Sequence, residues 1–156
     1  MAMAFTLVIN SGSSSVRYAV YTKEQAVFFA HFWKENNTYN GEINGTTQKI
    51  QEHDYANSLL FLKNSLAHYA ITAIGLRIVA PGSFFTQDRE ITPYYCEQLR
   101  TAYTIAPLHI SGMLSLIEQL ILRWLNNSLA AVKTAISLAP TSRALFIPRS
   151  LGTSAE

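Results

Sequence analysis

The sequence predicts a mixed α/β fold, a β-sheet with helices packed on its faces. Three observations carry this expectation. The first third of the chain holds three extended runs in close succession. The remainder interleaves helical and extended patterns, the arrangement of a mixed sheet with flanking helices. The length of 156 residues with 49% apolar content suits one domain with its own core.

The elements follow in order. Phe5–Asn10 is a buried strand, because Leu7, Val8 and Ile9 are contiguous and flanked by polar residues. Val16–Thr22 alternates around Tyr18 and Val20, so one face of it is buried. Ala26–Trp33 is rich in aromatic and β-branched residues, and the three runs together predict a β-meander. Asn36–Thr47 is polar, with Asn-Gly pairs at 40–41 and 44–45, and predicts a loop or a frayed hairpin. Asp54 is placed to cap a helix reaching about Tyr69, with Leu59, Leu62 and Leu66 near helical spacing. Ile71–Val79 is a strand carrying Arg77, ended by Ala80-Pro81-Gly82. Thr92 followed by Pro93 predicts the start of a helix running through Tyr103. Pro107 opens a loop or helix, Ser111–Leu125 is a strongly apolar helix, and Leu129–Val132 is a short strand. Residues 1–150 are expected to form the domain, and 151–156, small and polar, a frayed tail.

Bulk properties narrow the function. A net charge of +2 gives no reason to expect nucleic acid or an anionic membrane as partner. Charged residues at 14% argue against disorder and leave surface suited to burial by a partner. The single Cys96 excludes an internal disulfide framework and fits a reducing compartment. The N-terminus has no basic region ahead of its short apolar run, and Met113–Leu125 contains Glu118 and Arg123. A cytoplasmic protein is expected.

Three stretches hold chemistry. In "LVINSGSSSVRYAVY" a buried strand ends in a turn of Ser and Gly. Such a turn can present several backbone N–H groups to an anion, with Ser hydroxyls as further donors. Gly12 can take a positive φ, Asn10 can hold a metal-bound water or a ligand oxygen, and Arg17 adds a charge on the next strand. The same residues would serve a plain polar hairpin. They are not a Walker A loop, since no Gly-Lys-Ser/Thr follows. In "IGLRIVAPGSFFTQDREIT", Arg77 lies inside a strand, where it either clamps a carboxylate or phosphate with its planar fork or points to water from an edge. In "APLH", Pro107 fixes the backbone ahead of His109, which is either structural or an active-site group.

The three stretches in this order resemble the acetate and butyrate kinase family over about residues 5–118. The first resembles its phosphate-loop signature Asn-x-Gly-Ser-Ser-Ser-x-Lys/Arg. The second aligns without gaps on its Ile-Gly-His-Arg-Val-Val-His-Gly-Gly segment, and the third resembles Ala-Pro-Leu-His-Asn-Pro. The resemblance implies the N-terminal domain of an actin-like ATPase (ribonuclease H-like) fold, α/β with a mixed sheet and flanking helices. It implies phosphoryl transfer between ATP and acetate, with Mg²⁺, in a cleft between two related domains. By position, Asn10 would sit near the metal, and Ser13, Ser15 and Arg17 near the phosphates. Arg77 would bind the acyl carboxylate or transferring phosphoryl group, Val79 and Leu108 would border the acetate methyl, and His109 would be an active-site His. The partners implied are acetate or a short-chain acyl phosphate, and a second domain or a homodimer partner.

Departures from the family pattern bear on activity. Leu76 stands for the His before the Arg, Ala80-Pro81 for His-Gly, and Ile110-Ser111 for Asn-Pro. Lys133-Thr134-Ala135-Ile136 stands where the family has Asp-Thr-Ala-Phe. The adenosine pocket and the catalytic groups of the second domain are not among these 156 residues. The chain by itself is therefore expected to be inactive. The alternative is a non-catalytic fragment or interaction module that keeps a phosphate-binding loop.

Overall fold

Alternating residues build the centre of the sheet. Strands β1 (Phe5–Ser11), β2 (Ser15–Tyr21) and β3 (Ala26–Glu35) form the expected antiparallel meander. The computed structural model describes residues 3–23, 25–120 and 134–138. Strands β4 (Thr38–Ile43) and β5 (Thr46–Ile50) extend the meander outward. On the other side β6 (Ile71–Arg77) runs parallel to β1, and β8 (Thr134–Leu138) parallel to β6. The two-residue β7 (Arg89–Glu90) closes the edge against β8. The eight strands lie in the order β5-β4-β3-β2-β1-β6-β8-β7.

The expected loop or frayed hairpin at Asn36–Thr47 is instead two ordered hairpins. Asn36 and Asn37 have φ of 48° and 61° between β3 and β4, and Asn44 and Gly45 have φ of 47° and 87° between β4 and β5. Both are two-residue turns of the primed kind, whose twist matches that of the strands. The Asn44 side chain also accepts a 2.9 Å bond from the Phe29 N–H. The Asn40-Gly41 pair, by contrast, lies within β4. A Cβ at Gly41 would come within 3.0 Å of the Phe32 ring, so this glycine makes room for a buried aromatic.

The helix expected from Asp54 to Tyr69 is broken into α1 (Glu52–Ala56), α2 (Ser58–Phe61) and α3 (Lys63–Leu66). Asp54 does not cap it; Gln51 occupies that position without a side-chain bond. Asn57 ends the first turn by donating from both its backbone N–H and its side-chain amide to the His53 carbonyl. The break brings Ser58 into the core, where its hydroxyl lies 2.8 Å from that of Tyr18. Burial pushes the Tyr18 phenol well above its ordinary pKa, which keeps it neutral.

Strand β6 ends at Arg77, two residues short of the expected Val79. Its partners β1 and β8 offer no register beyond Asn10 and Leu138, and Pro81 has no N–H to extend a ladder. Helix α4 (Pro93–Tyr103) starts as expected, with the Thr92 hydroxyl accepting from the Tyr95 N–H at 3.1 Å. Pro107 is the first residue of α5 (Pro107–Leu120), so the proline and the apolar stretch belong to one helix. The expected continuation to Leu125, the strand Leu129–Val132, Lys133 and the tail 151–156 lie outside the described residues.

One core joins these parts. Leu7, Ile9, Tyr18, Val20, Phe28 and Phe32 point from the sheet to the same side as Leu59, Leu62, Leu99, Ile110 and Ile117 of the helices. All the described helices thus pack on one face of the sheet. Among the described residues no helix is long and apolar enough to cross a membrane.

Candidate active site

Because successive side chains in a strand alternate between faces, the residues between the core positions face the other way. Their register forms a row across five strands. Arg77 of β6 pairs with Asn10 of β1, Asn10 with Arg17 of β2, Arg17 with His31 of β3, and His31 with Glu42 of β4. Neighbouring strands lie about 4.8 Å apart. Arg17 and Arg77 therefore flank Asn10, with their Cα atoms roughly 10 Å from each other. Val8, Ala19, Phe29 and Gly75 lie behind the row on the same face and are buried.

The row holds unmet hydrogen-bonding capacity. Arg17 Nε, His31 Nε2 and Arg77 Nε are shielded from solvent and have no hydrogen-bond partner. Burying such a group unpaired costs about 1–3 kcal/mol, more when charged. Among the described residues neither guanidinium has an ion pair. His31 stacks on Trp33 with ring centroids 4.8 Å apart. Burial, and then the neighbouring Arg17, lower its pKa to about 4, so it is neutral near pH 7. The face presents two fixed positive charges, a neutral imidazole and a neutral amide, with Glu42 at its outer end. That composition suits an anion with several oxygens.

The β1–β2 hairpin borders the row. Gly12, Ser13 and Ser14 form its exposed tip, closed by a 2.7 Å bond from the Gly12 N–H to the Ser15 carbonyl. A 3.0 Å bond from the Lys34 N–H to the Ser14 carbonyl ties the tip to the end of β3. Ser15 sits two residues before Arg17 and so shares its face. Gly12 does not use the positive φ open to a glycine. An added Cβ there would meet only the Ser15 carbonyl, at 3.6 Å, so the three-residue tip closes without a left-handed residue.

Arg77 ends β6 at the carboxyl edge of the parallel strands, the side on which open α/β sheets bind ligands. Val79 follows just beyond, 55% exposed. Leu108, in the first turn of α5, is 90% exposed, and His109 is the next residue of that turn. Thus Asn10, Ser15, Arg17 and Arg77 share one sheet face, Ser13 stands at its hairpin tip, and Val79, Leu108 and His109 lie outside the sheet. Sequence reasoning missed His31, Trp33 and Glu42. The alternation in "FFAHFW" was a signal that His31 and Trp33 turn away from the core, but only the register sets His31 beside Arg17.

The metal expected at Asn10 would find few protein ligands beside it. Among the described residues no group of three His, Cys, Asp or Glu could hold an ion. Mg²⁺ takes six oxygens, commonly shared between one or two carboxylates, waters and substrate phosphates. Asn10 offers a single neutral oxygen, so these residues fit an ion brought in on phosphates and do not form a cage of their own.

The strand order β3-β2-β1-β6-β8, antiparallel through β1 and parallel beyond it, with a polar face at the carboxyl edge, defines an actin-like, ribonuclease H-like α/β domain. Similar folds occur in a propionate kinase from Francisella tularensis (TM-score 0.69, 21% identity, 88% of this chain and 37% of that one). The acetate kinase from Porphyromonas gingivalis is equally close (TM-score 0.69, 21% identity, 93% of this chain and 39% of that one). In sequence the chain is 31% identical over 121 residues to acetate kinase 2 of Lactococcus lactis, covering 69% of this chain. The model of the acetokinase family matches residues 5–146, and the chain belongs to that family. It spans about a third, 31%, of the length of the curated relatives it matches.

Proposed function

We propose that this chain forms the acyl- and phosphate-binding wall of an acetate kinase-type site, for phosphoryl transfer between ATP and acetate. The observation that carries this reading is the row of three shielded, unpartnered nitrogens on Arg17, His31 and Arg77, with Asn10 between the two arginines. Ligand oxygens would meet that unmet capacity, which the folded chain leaves open at a cost in stability.

In this reading the Arg77 fork holds the acetate carboxylate or the phosphoryl group in transit. Arg17, Ser13 and Ser15 hold phosphate oxygens further along. Val79 and Leu108 border the acetate methyl, and their exposure suits a slot that further protein closes. His109, at the start of α5, is a further polar group for the same site. Mg²⁺ would screen the phosphates it arrives with, and Asn10 would lend it, or one of its waters, an oxygen. Phosphoryl transfer asks little covalent chemistry of the protein; positioning and positive charge around the equatorial oxygens supply most of the rate. A wall on one side positions half of the reactants, so the chain alone has negligible turnover, and the second wall comes from another domain or chain. The setting is cytoplasmic.

The test supplies ATP, Mg²⁺ and acetate and traps acetyl phosphate as its hydroxamate. The purified chain is expected to give no product above the blank. Joined in frame to the C-terminal two thirds of an acetate kinase, it is expected to turn over, and Arg77→Ala to reduce that turnover by about a hundredfold or more. Turnover by the chain alone, or an active fusion indifferent to Arg77→Ala, would contradict the reading.

A further inference from the structure

We infer that the cleft between the β1–β2 hairpin, α1–α2 and α5 is a second binding site, for a small uncharged polyhydroxy molecule. It lies on the helix-covered side of the sheet, away from the arginine row. Its volume is about 210 Å³, room for about seven waters at 30 Å³ each, or a ligand with a similar number of heavy atoms.

The wall chemistry selects the class. Among the described residues, none that lines the cleft is Asp, Glu, Lys, Arg or His, so a charged ligand would meet no counter-charge from them. Polar groups nevertheless converge on it: Tyr18 and Ser58, already bonded to each other at 2.8 Å, with Tyr55, Ser115 and Gln119. Hydroxyl and amide groups both donate and accept, which matches a molecule whose own hydroxyls do the same. The rings of Tyr18 and Tyr55, with Val16 and Leu116, are the apolar part of the lining, available to its C–H groups.

Helix α5 is built around this cleft. Its buried residues Ile110, Met113, Ile117 and Leu120 form the stripe that meets the core. Gly112, Ser115, Leu116 and Gln119 follow the spacing i, i+3, i+4, i+7 and line the cleft. Glycine is a poor choice inside a helix, and packing does not require it here. A Cβ at Gly112 would meet nothing within 4 Å. What the glycine does is keep the wall of the cleft open. Ser11, in phase with Ile9 at the end of β1, also lines the cleft, so an occupant would touch the hairpin from the side opposite the arginine row.

This site is independent of the phosphoryl-transfer reading and is tested without turnover. Glycerol, erythritol and ribose are titrated into the ¹⁵N-labelled full chain, with inorganic phosphate as the charged control. At least one polyol is expected to give saturable, millimolar shifts confined to Tyr18, Tyr55, Ser58 and the 112–119 stretch. Gly112→Leu, which fills the cleft, is expected to abolish them. If that variant does not fold, Ser115→Ala is expected to weaken binding about fivefold, the equivalent of one hydrogen bond. Shifts that never saturate, binding unchanged in the folded variant, or phosphate shifting the same resonances would each overturn the inference.

Discussion

The two faces of the central sheet are made by the same strands and share almost no chemistry. Leu7 and Ile9 of β1, Tyr18 and Val20 of β2, and Phe28 and Phe32 of β3 are buried against the helices. One residue away on each strand stand Asn10, Arg17 and His31, and Arg17 and His31 hold nitrogens without partners. The helix face satisfies even its polar groups, as Tyr18 and Ser58 do with each other. The other face leaves its own unmet. One set of strands therefore presents two surfaces: the first register is buried for stability, and the second leaves hydrogen-bonding capacity unmet, which the proposed binding role would use.

Substitutions separate the two surfaces. The largest effect is expected from Phe32→Ala, which removes a fully buried ring from the helix face. Chemical unfolding should show a loss of about 3–5 kcal/mol. Tyr18→Phe leaves the Ser58 hydroxyl without its partner and should cost about 1–3 kcal/mol by the same measurement. Thr92→Ala removes the cap that receives the Tyr95 N–H, a loss of about 1 kcal/mol. On the open face the effect of pH sharpens the contrast. The folded state holds the His31 pKa at about 4, below its ordinary 6.5. Unfolded chains bind that proton first as pH falls, so stability is complete above 6.5 and declines between 6.5 and about 4. The ring is half-buried, so after solvent screening the decline is on the order of 1 kcal/mol. His31→Gln should flatten that part of the stability–pH curve.

Much of the fold was legible because strands of the sheet centre carry dense apolar residues. Phe5–Asn10 declared itself by the contiguous Leu7, Val8 and Ile9, Val16–Thr22 by alternation and Ala26–Trp33 by aromatic and β-branched content, and Thr92-Pro93 announced α4 by its cap. The outer strands β4 and β5 were not legible, because at the sheet edge polar residues stand on both faces and the pattern fades. The break at Asn57 was hidden because Leu59, Leu62 and Leu66 keep helical spacing across short pieces. For the site, Arg77 and Arg17 could be picked from local sequence. That they flank Asn10 on one face, with His31 beside Arg17, depends on pairing between strands up to 67 residues apart, as Asn10 and Arg77 are. No local pattern encodes that distance.

The central claim is that the arginine row serves binding and not stability. Titration calorimetry with acetyl phosphate on the wild-type chain, Arg17→Ala and Arg77→Ala, with unfolding midpoints measured in parallel, tests it most directly. Saturable binding by the wild type is predicted, at least about tenfold weaker in each variant, the scale of one charge-assisted contact. The variants' midpoints should be equal to or above that of the wild type, since each loses an unsatisfied buried donor. Equal affinity in all three proteins, or arginine variants destabilised as much as Phe32→Ala, would contradict the account.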